Sequence, residues 1–221
     1  GEPALQPVHA VIFDLDGTLV DTLADLGTSM NRTLADNGFP VWPLEEYRQM
    51  VGNGMRRLTE RALGGSAAPE IVEKILGEFL ALYDRDCTRL STPYEGMTDT
   101  LERLREKEIV LAVVTNKTEA QAKKIIRHFF GPDRFAGVYG NLPGRRTKPD
   151  PSLTLEALEK LHVREENALF VGDSNVDVQT AKNAGLRCAG AVWGFRGEEE
   201  LRRAGADWLV RSPGELLNLL K

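Results

Sequence analysis

The chain has 221 residues, 42% of them hydrophobic, with a formal charge of −5 and two cysteines. That length suits one large domain or a core with a modest insert, and the apolar content is enough to fill a core. The negative balance offers no general attraction to nucleic acid or an anionic membrane, no apolar run is long enough to span a bilayer, and Cys87 and Cys188 fall in no disulfide or metal-ligand pattern.

Residues 1–7 lack the basic start and apolar stretch of a signal peptide, so the cytoplasm is the expected compartment. Residues 8–13, VHAVIF, are too short for a free-standing helix and predict a strand buried on both faces. The run stops at Asp14, followed by Leu15, Asp16 and Gly17. Positions two apart in extended chain point to the same side, so Asp14 and Asp16 are expected together where a parallel strand ends. Open α/β sheets bind ligands outside that edge. Two close like charges call for a cation or a shared proton, and oxygen donors favour a hard ion such as Mg²⁺. Taken alone, the stretch also reads as an ordinary polar turn.

After Gly17 the pattern turns helical. Asp21 is placed to cap a helix carrying Leu23, Leu26, Met30 and Leu34, and Asn37-Gly38 ends it. Residues 43–50 and 55–63 predict two more helices joined by VGNG, and Pro69 starts a longer one through Ile75, Phe79 and Tyr83. No strand is expected between Asp21 and about Thr92. Residues 19–92 therefore predict a small helical domain inserted into an α/β core made of residues 1–18 and 93–221.

From Tyr94 onward, elements alternate. Helices are expected over 98–107, 118–130, 151–161, 176–184, 198–203 and from Pro213, with strands over 109–114, 135–139, 168–171, 187–192 and 208–210. Alternation of this kind implies a parallel, Rossmann-like sheet with helices on both faces.

Each strong strand ends in polar residues: Asp14 and Asp16, then Thr115-Asn116, then Asp173-Ser174 with Asp177 four positions beyond Asp173. Lys148 lies between the last two sets, in TKPDP, just before a helix that Pro151 starts. A parallel sheet gathers these strand ends at one edge. The set suits phosphoryl transfer: a metal and a lysine neutralise phosphate, and a hydroxyl and amides bind its oxygens. One carboxylate can attack as a nucleophile, and another can exchange protons with leaving group and water. Singly, Thr115 reads as a helix cap, Lys148 as a solvated loop residue, Asp173 as a turn and Asp177 as a first-turn carboxylate. Their joint placement favours the functional reading. The histidines His9, His128 and His162 have no ligand spacing, and the three tryptophans read as packing residues.

DLDGT, VVTN, KPDP and GDSNVD, in that order, resemble the four motifs of the haloacid dehalogenase-like hydrolase superfamily across essentially the whole chain. The helical insert resembles that superfamily's small cap. The resemblance implies Asp14 as nucleophile, Asp16 as general acid/base, Thr115 and Asn116 as phosphate-binding groups and Lys148 as the lysine steadying nucleophile and phosphate. It implies Asp14, the Asp16 carbonyl and Asp173 as Mg²⁺ ligands, with Asp177 and Ser174 beside them. Asp16 points to phosphate esters rather than halides, because an alkoxide leaving group needs a proton. DLDGTLVDT and MVGNGMRRLTERAL are similar to the phosphoglycolate phosphatase family, a branch of carbohydrate metabolism that hydrolyses 2-phosphoglycolate to glycolate and phosphate. Asn53, Gly54 and Arg57 (or its neighbour Arg56) are then the cap residues expected to meet substrate, with the N–H groups of VGNG open toward an anion at a helix N-terminus; read by itself, VGNG is equally a plain interhelical turn. The segment GNLPGRRTKPDP departs from that family, with Asn141 and a basic Arg145-Arg146 pair where an acidic residue is usual.

The expected partner is a small phosphorylated metabolite, with neither nucleic acid nor membrane, and the expected assembly a monomer or homodimer. A phosphomutase similar to β-phosphoglucomutase is the enzymatic alternative. A non-catalytic phosphometabolite-binding module is the other, and it predicts loss of a catalytic carboxylate or the lysine.

Overall fold

The computed structural model describes residues 6–220; most of the segment read as free of a leader lies outside them. Among those residues the strands are β1 (Ala10–Phe13), β2 (Val20–Asp21), β3 (Thr92–Pro93), β4 (Val110–Thr118), β5 (Gly137–Asn141), β6 (Ala168–Gly172), β7 (Arg187–Ala191) and β8 (Trp208–Val210). The helices are α1 (Leu23–Asp36), α2 (Met55–Ala62), α3 (Pro69–Asp86), α4 (Met97–Glu106), α5 (Glu119–Phe130), α6 (Ser152–Leu161), α7 (Asn175–Ala184), α8 (Glu198–Ala204) and α9 (Leu216–Leu219).

Six strands form one parallel sheet in the order β5-β4-β1-β6-β7-β8. β1 sits near its middle, which is why AVIF is apolar without a break: all four residues are buried. Val11 and Phe13 join the core formed with α4 and α5, whereas Ala10 and Ile12 face Leu153 and Ala157 of α6 and Val178 of α7. Alternate side chains thus fill two layers, and the parallel α/β expectation holds.

Strand register positions the site. Phe13 lies level with Val113 of β4 and Val171 of β6. The residues just beyond those three points are Asp14, Val114-Thr115 and Gly172-Asp173, so polar groups from three distant segments meet at one edge.

The helical segment leaves and re-enters the sheet domain through the antiparallel β2–β3 ribbon. The buried Asp25 of α1 ties the return: its carboxylate accepts from the N–H groups of Leu90 and Ser91 and from the Ser91 hydroxyl. Met30, Leu34, Phe79 and Tyr83 then pack as a core continuous with one face of the sheet.

Several expectations change in detail. Residues 44–49 form a 3₁₀ turn rather than an α-helix, the form favoured by a short run of this length. β4 runs past Val114 to Thr118, where an irregularity lets Thr118 pair with Asn141. Thr115 therefore caps no helix, since α5 starts at Glu119. The C-terminal helix is a 3₁₀ turn over Pro213–Glu215 followed by the short α9. No helix among the described residues is long and apolar enough to cross a membrane.

Candidate active site

Asp14 follows β1 directly and is buried. Its Oδ1 accepts from the Leu15 N–H at 2.7 Å and pairs with Lys148 Nζ at 3.1 Å. Among the described residues no group donates to its Oδ2. One carboxylate oxygen is thus anchored and the other free. Lys148 arrives from the loop before α6, with 1% of its side chain exposed, and also binds Asp177 Oδ1 at 2.7 Å.

Asp177 is a brace. Its Oδ2 accepts from the N–H groups of Asp173 and Ser174 at 3.0 and 3.3 Å, closing a capping box at the start of α7. Ser174, its hydroxyl 3.4 Å from the same oxygen, belongs to that box. The approach is so close that a Cβ on Gly172 would collide with the Asp177 side chain. Asp173 accepts from Thr18 Oγ1 at 3.2 Å and from the Phe195 N–H at 2.9 Å. Gly17, at φ +81°, turns the chain beside it in a conformation suited to glycine, and an added Cβ would strike the Asp173 carboxylate.

Three carboxylates cluster here, two of them, Asp14 and Asp177, paired with Lys148. Oxygens of Asp14, Asp173 and Asp177 lie within 4.8 Å of one another, all buried. Burial, then the charge of Asp177, holds the Asp14 carboxyl well above the usual carboxylate range, with Lys148 pulling the other way. Burial and Asp177 likewise push Asp173 up to about 7. Burial alone would lower the Lys148 pKa, but Asp14 and Asp177 outweigh it and raise it. This surplus of buried negative charge on oxygen-only donors fits a hard divalent cation such as Mg²⁺.

A small pocket opens beside the cluster. Its floor is Asp14, Asp16, Thr115, Asn116 and Lys117, and its roof Leu26, Val51, Met55 and Leu58 with the backbones of Gly52 and Gly54. Asp16 does share this space with Asp14, but its Oδ1 is held by Thr22 Oγ1 at 2.5 Å and Lys117 Nζ at 2.6 Å. The Thr115 hydroxyl accepts from the Lys117 N–H at 3.1 Å, which leaves its own proton to donate. Asn116 differs from expectation. Its Nδ2 donates to the carbonyls of Gly52 and Lys148 at 3.0 and 3.1 Å, and its Oδ1 accepts from the Lys148 N–H at 2.8 Å. The side chain assigned to phosphate therefore spends its groups inside the protein, holding the Lys148 loop and the helical roof.

The cap residues divide. Gly54 reaches the pocket and Asn53 does not line it. Arg57 is 58% exposed at the side chain and faces Glu60, and Arg56 pairs with Glu73, so neither guanidinium is brought to the pocket. The (i, i+3) spacing on α2 explains the Glu60 pairing.

A family profile described as haloacid dehalogenase-like hydrolase matches residues 11–191. The chain belongs to that family. This hydrolase is 38% identical over 190 residues to phosphoglycolate phosphatase 1 of Pseudomonas aeruginosa, covering 84% of the present chain and 70% of the relative. It is 32% identical over 214 residues to the N-acetylmuramic acid 6-phosphate phosphatase of the same organism, covering 96% and 95%. A crystallised protein of Lactobacillus delbrueckii subsp. bulgaricus superposes with a TM-score of 0.92 at 29% identity, covering 97% of this chain and 99% of the other.

In this hydrolase two cationic side chains, Lys117 in the pocket and Arg196 beside the helical segment, carry no clear mark in the sequence. Lys117 follows the VVTN motif directly, and a lysine there carries no local mark that it is buried. Arg196 lies in a loop with no local signal, yet it donates to the carbonyls of Arg48 and Val51 at 3.0 and 2.9 Å and pairs with Glu200 at 3.0 Å, clasping the helical segment to the sheet domain. The polar end of VVTNKT was the available signal for Lys117; nothing in GFRGEEE distinguished Arg196.

Proposed function

We propose that this hydrolase is a Mg²⁺-dependent phosphomonoesterase of small phosphorylated metabolites, with 2-phosphoglycolate as substrate and an aspartyl phosphate as intermediate. Residues 19–92 act as the cap and residues 1–18 and 93–221 as the catalytic core. The observation that carries the reading is Asp14: buried, anchored through Oδ1 by Lys148, its Oδ2 unengaged, beside Asp16 and Thr115 in one pocket. The relatives named phosphoglycolate phosphatase support the substrate.

Asp14, Asp173 and the Asp16 carbonyl would hold the metal, with Asp177 and Ser174 behind them. When bound, the ion offsets charge on Asp14 and on the phosphate oxygens. The Asp14 Oδ2 attacks phosphorus in line, forming the acyl phosphate while the bond to the leaving oxygen breaks. Thr115 donates to a phosphate oxygen, and Lys148 steadies both nucleophile and phosphate. Asp16 protonates the departing alkoxide. It then takes a proton from the water that attacks phosphorus, which frees Asp14 and inorganic phosphate. The roof over the pocket excludes bulk water from this exchange. The loop of Asn53 and Gly54 shapes the roof, with Arg57 outside it.

A second reading, hydrolysis of N-acetylmuramic acid 6-phosphate, is favoured by the relative of that name, which matches along nearly its full length. Phosphate release with and without Mg²⁺ from both compounds tests the two. Faster Mg²⁺-dependent release from 2-phosphoglycolate is expected; the reverse order selects the second reading. Trapping of phosphate in a bisphosphate product would select a mutase instead. Near-wild-type turnover by Asp14→Asn, in a preparation free of deamidation, would overturn the mechanism.

A further inference from the structure

The pocket beside Asp14 has an apolar roof, Leu26, Val51, Met55 and Leu58, and among the residues lining it a single cation, Lys117. Other basic groups nearby are engaged elsewhere. Arg56 and Arg57 pair at the surface, Arg61 donates to the Met50 carbonyl at 3.0 Å, and Arg196 is spent on main-chain carbonyls and Glu200. Lys117 is 1% exposed at its side chain. A desolvated ammonium must satisfy its donors locally. One meets Asp16 Oδ1 at 2.6 Å, and the charge also lies 4.6 Å from the centroid of the Tyr83 ring. An ammonium has three donors, so capacity remains toward the pocket.

The phosphate end of that pocket is set by Thr115 and Asp14. Lys117 is two residues beyond Thr115 where β4 becomes irregular; its N–H donates to the Thr115 hydroxyl at 3.1 Å, and both residues line the pocket with Asp14. A hydroxyl and an ammonium lining one small pocket suit a short phosphoacid, phosphate at Thr115 and a second anion at Lys117. We propose that Lys117 binds a carboxylate on the leaving-group half of the substrate and is the specificity-determining residue of this site. The assignment rests on the phosphomonoesterase reading above. It also accounts for the contact with Asp16. A substrate carboxylate entering this space faces the Asp16 charge, and an ammonium between the two offsets their repulsion, whereas Thr22 alone would suffice to position Asp16.

The test compares 2-phosphoglycolate with 2-hydroxyethyl phosphate, which replaces the carboxylate by a neutral alcohol, in wild type, Lys117→Met and Lys117→Arg. Wild type should favour the carboxylated ester in kcat/KM by about a hundredfold, the scale of a charge-assisted hydrogen bond in a dry site. Lys117→Met should lose about a hundredfold on 2-phosphoglycolate, chiefly in KM. On 2-hydroxyethyl phosphate it should lose about tenfold, through the disturbed Asp16. Lys117→Arg should recover part of the preference. Equal losses on both esters would overturn the proposal and leave Lys117 as a positioning residue for Asp16. Should the variants fail to fold, wild type decides: glycolate should inhibit 2-hydroxyethyl phosphate hydrolysis competitively, and ethylene glycol should not. Absence of both that inhibition and the substrate preference would overturn the proposal while leaving phosphomonoesterase activity intact. Failure of wild type to hydrolyse either ester would overturn the functional reading itself.

Discussion

Asp14→Asn is expected to silence turnover and, in the same protein, to raise the stability of the metal-free fold. The relevant oxygens of Asp14, Asp173 and Asp177 lie within 4.8 Å of one another. At an effective dielectric constant of about 20, each like pair at that separation repels by about 3.5 kcal/mol, so ionised Asp14 faces about 7 kcal/mol from its two neighbours. Lys148, at 3.1 Å, returns about 5 kcal/mol on the same scale. The balance is about 2 kcal/mol against the charge, and desolvation acts in the same direction. Asparagine keeps the shape, and its oxygen still accepts from Leu15 N–H and Lys148. A chain of this size gains about 2–4 °C per kcal/mol, so the variant should melt about 4–8 °C higher than wild type at pH 8 in EDTA. The sign follows from linkage. The Asp14 carboxyl is raised above its unfolded value, so the folded state binds the extra proton. The stability this confers is complete below about pH 4 and is lost as pH rises. The advantage of the variant should therefore shrink at pH 5, closer to the unfolded carboxylate range. Calorimetric melts at pH 5 and 8, with phosphate release measured on the same preparations, check both halves. A variant that melts below wild type at pH 8, or whose advantage ignores pH, would refute the reasoning.

Mg²⁺ should raise the melting temperature of wild type more at pH 8 than at pH 5.5, because Asp173 is pushed up to about 7 and must lose its proton to bind the ion; equal shifts would count against Asp173 as a ligand. Asp16→Asn should lower alkyl phosphate hydrolysis by about a hundredfold or more, while nitrophenyl phosphate, whose leaving group needs no proton, should give a burst and a trappable, hydroxylamine-sensitive phosphoenzyme. Rapid-mix quench that finds equal losses on both esters and no phosphoenzyme would refute the proton-shuttle role. Arg196→Ala removes the contacts to the carbonyls of Arg48 and Val51, each worth about 1 kcal/mol. KM should rise about tenfold and protease should cut residues 37–54 faster; unchanged cleavage would show that the cap is held otherwise.

The sequence by itself determined the layers and pointed to several of the polar residues that the fold gathers at one edge. Unbroken apolar runs such as AVIF and ALFVG, too short for a helix and closed by turn residues, fit central strands of a parallel sheet. Once parallel, their ends share an edge, so Asp14, Thr115, Lys148 and Asp173 were legible as one group before any contact was known. These are local signals, carried by the period and composition of short windows. What tertiary structure alone decided lies in contacts between distant segments. Arg57 and Lys117 look alike as exposed basic residues in the chain, yet α2 turns Arg57 outward to Glu60 while β4 buries Lys117 under Tyr83 and against Asp16, 101 positions away. Asn116 read as a phosphate ligand until the Lys148 loop and Gly52 were found on its amide. Whether a polar side chain meets solvent, a neighbour or a substrate depends on which other element is packed over it, and no periodicity within its own strand or helix encodes that.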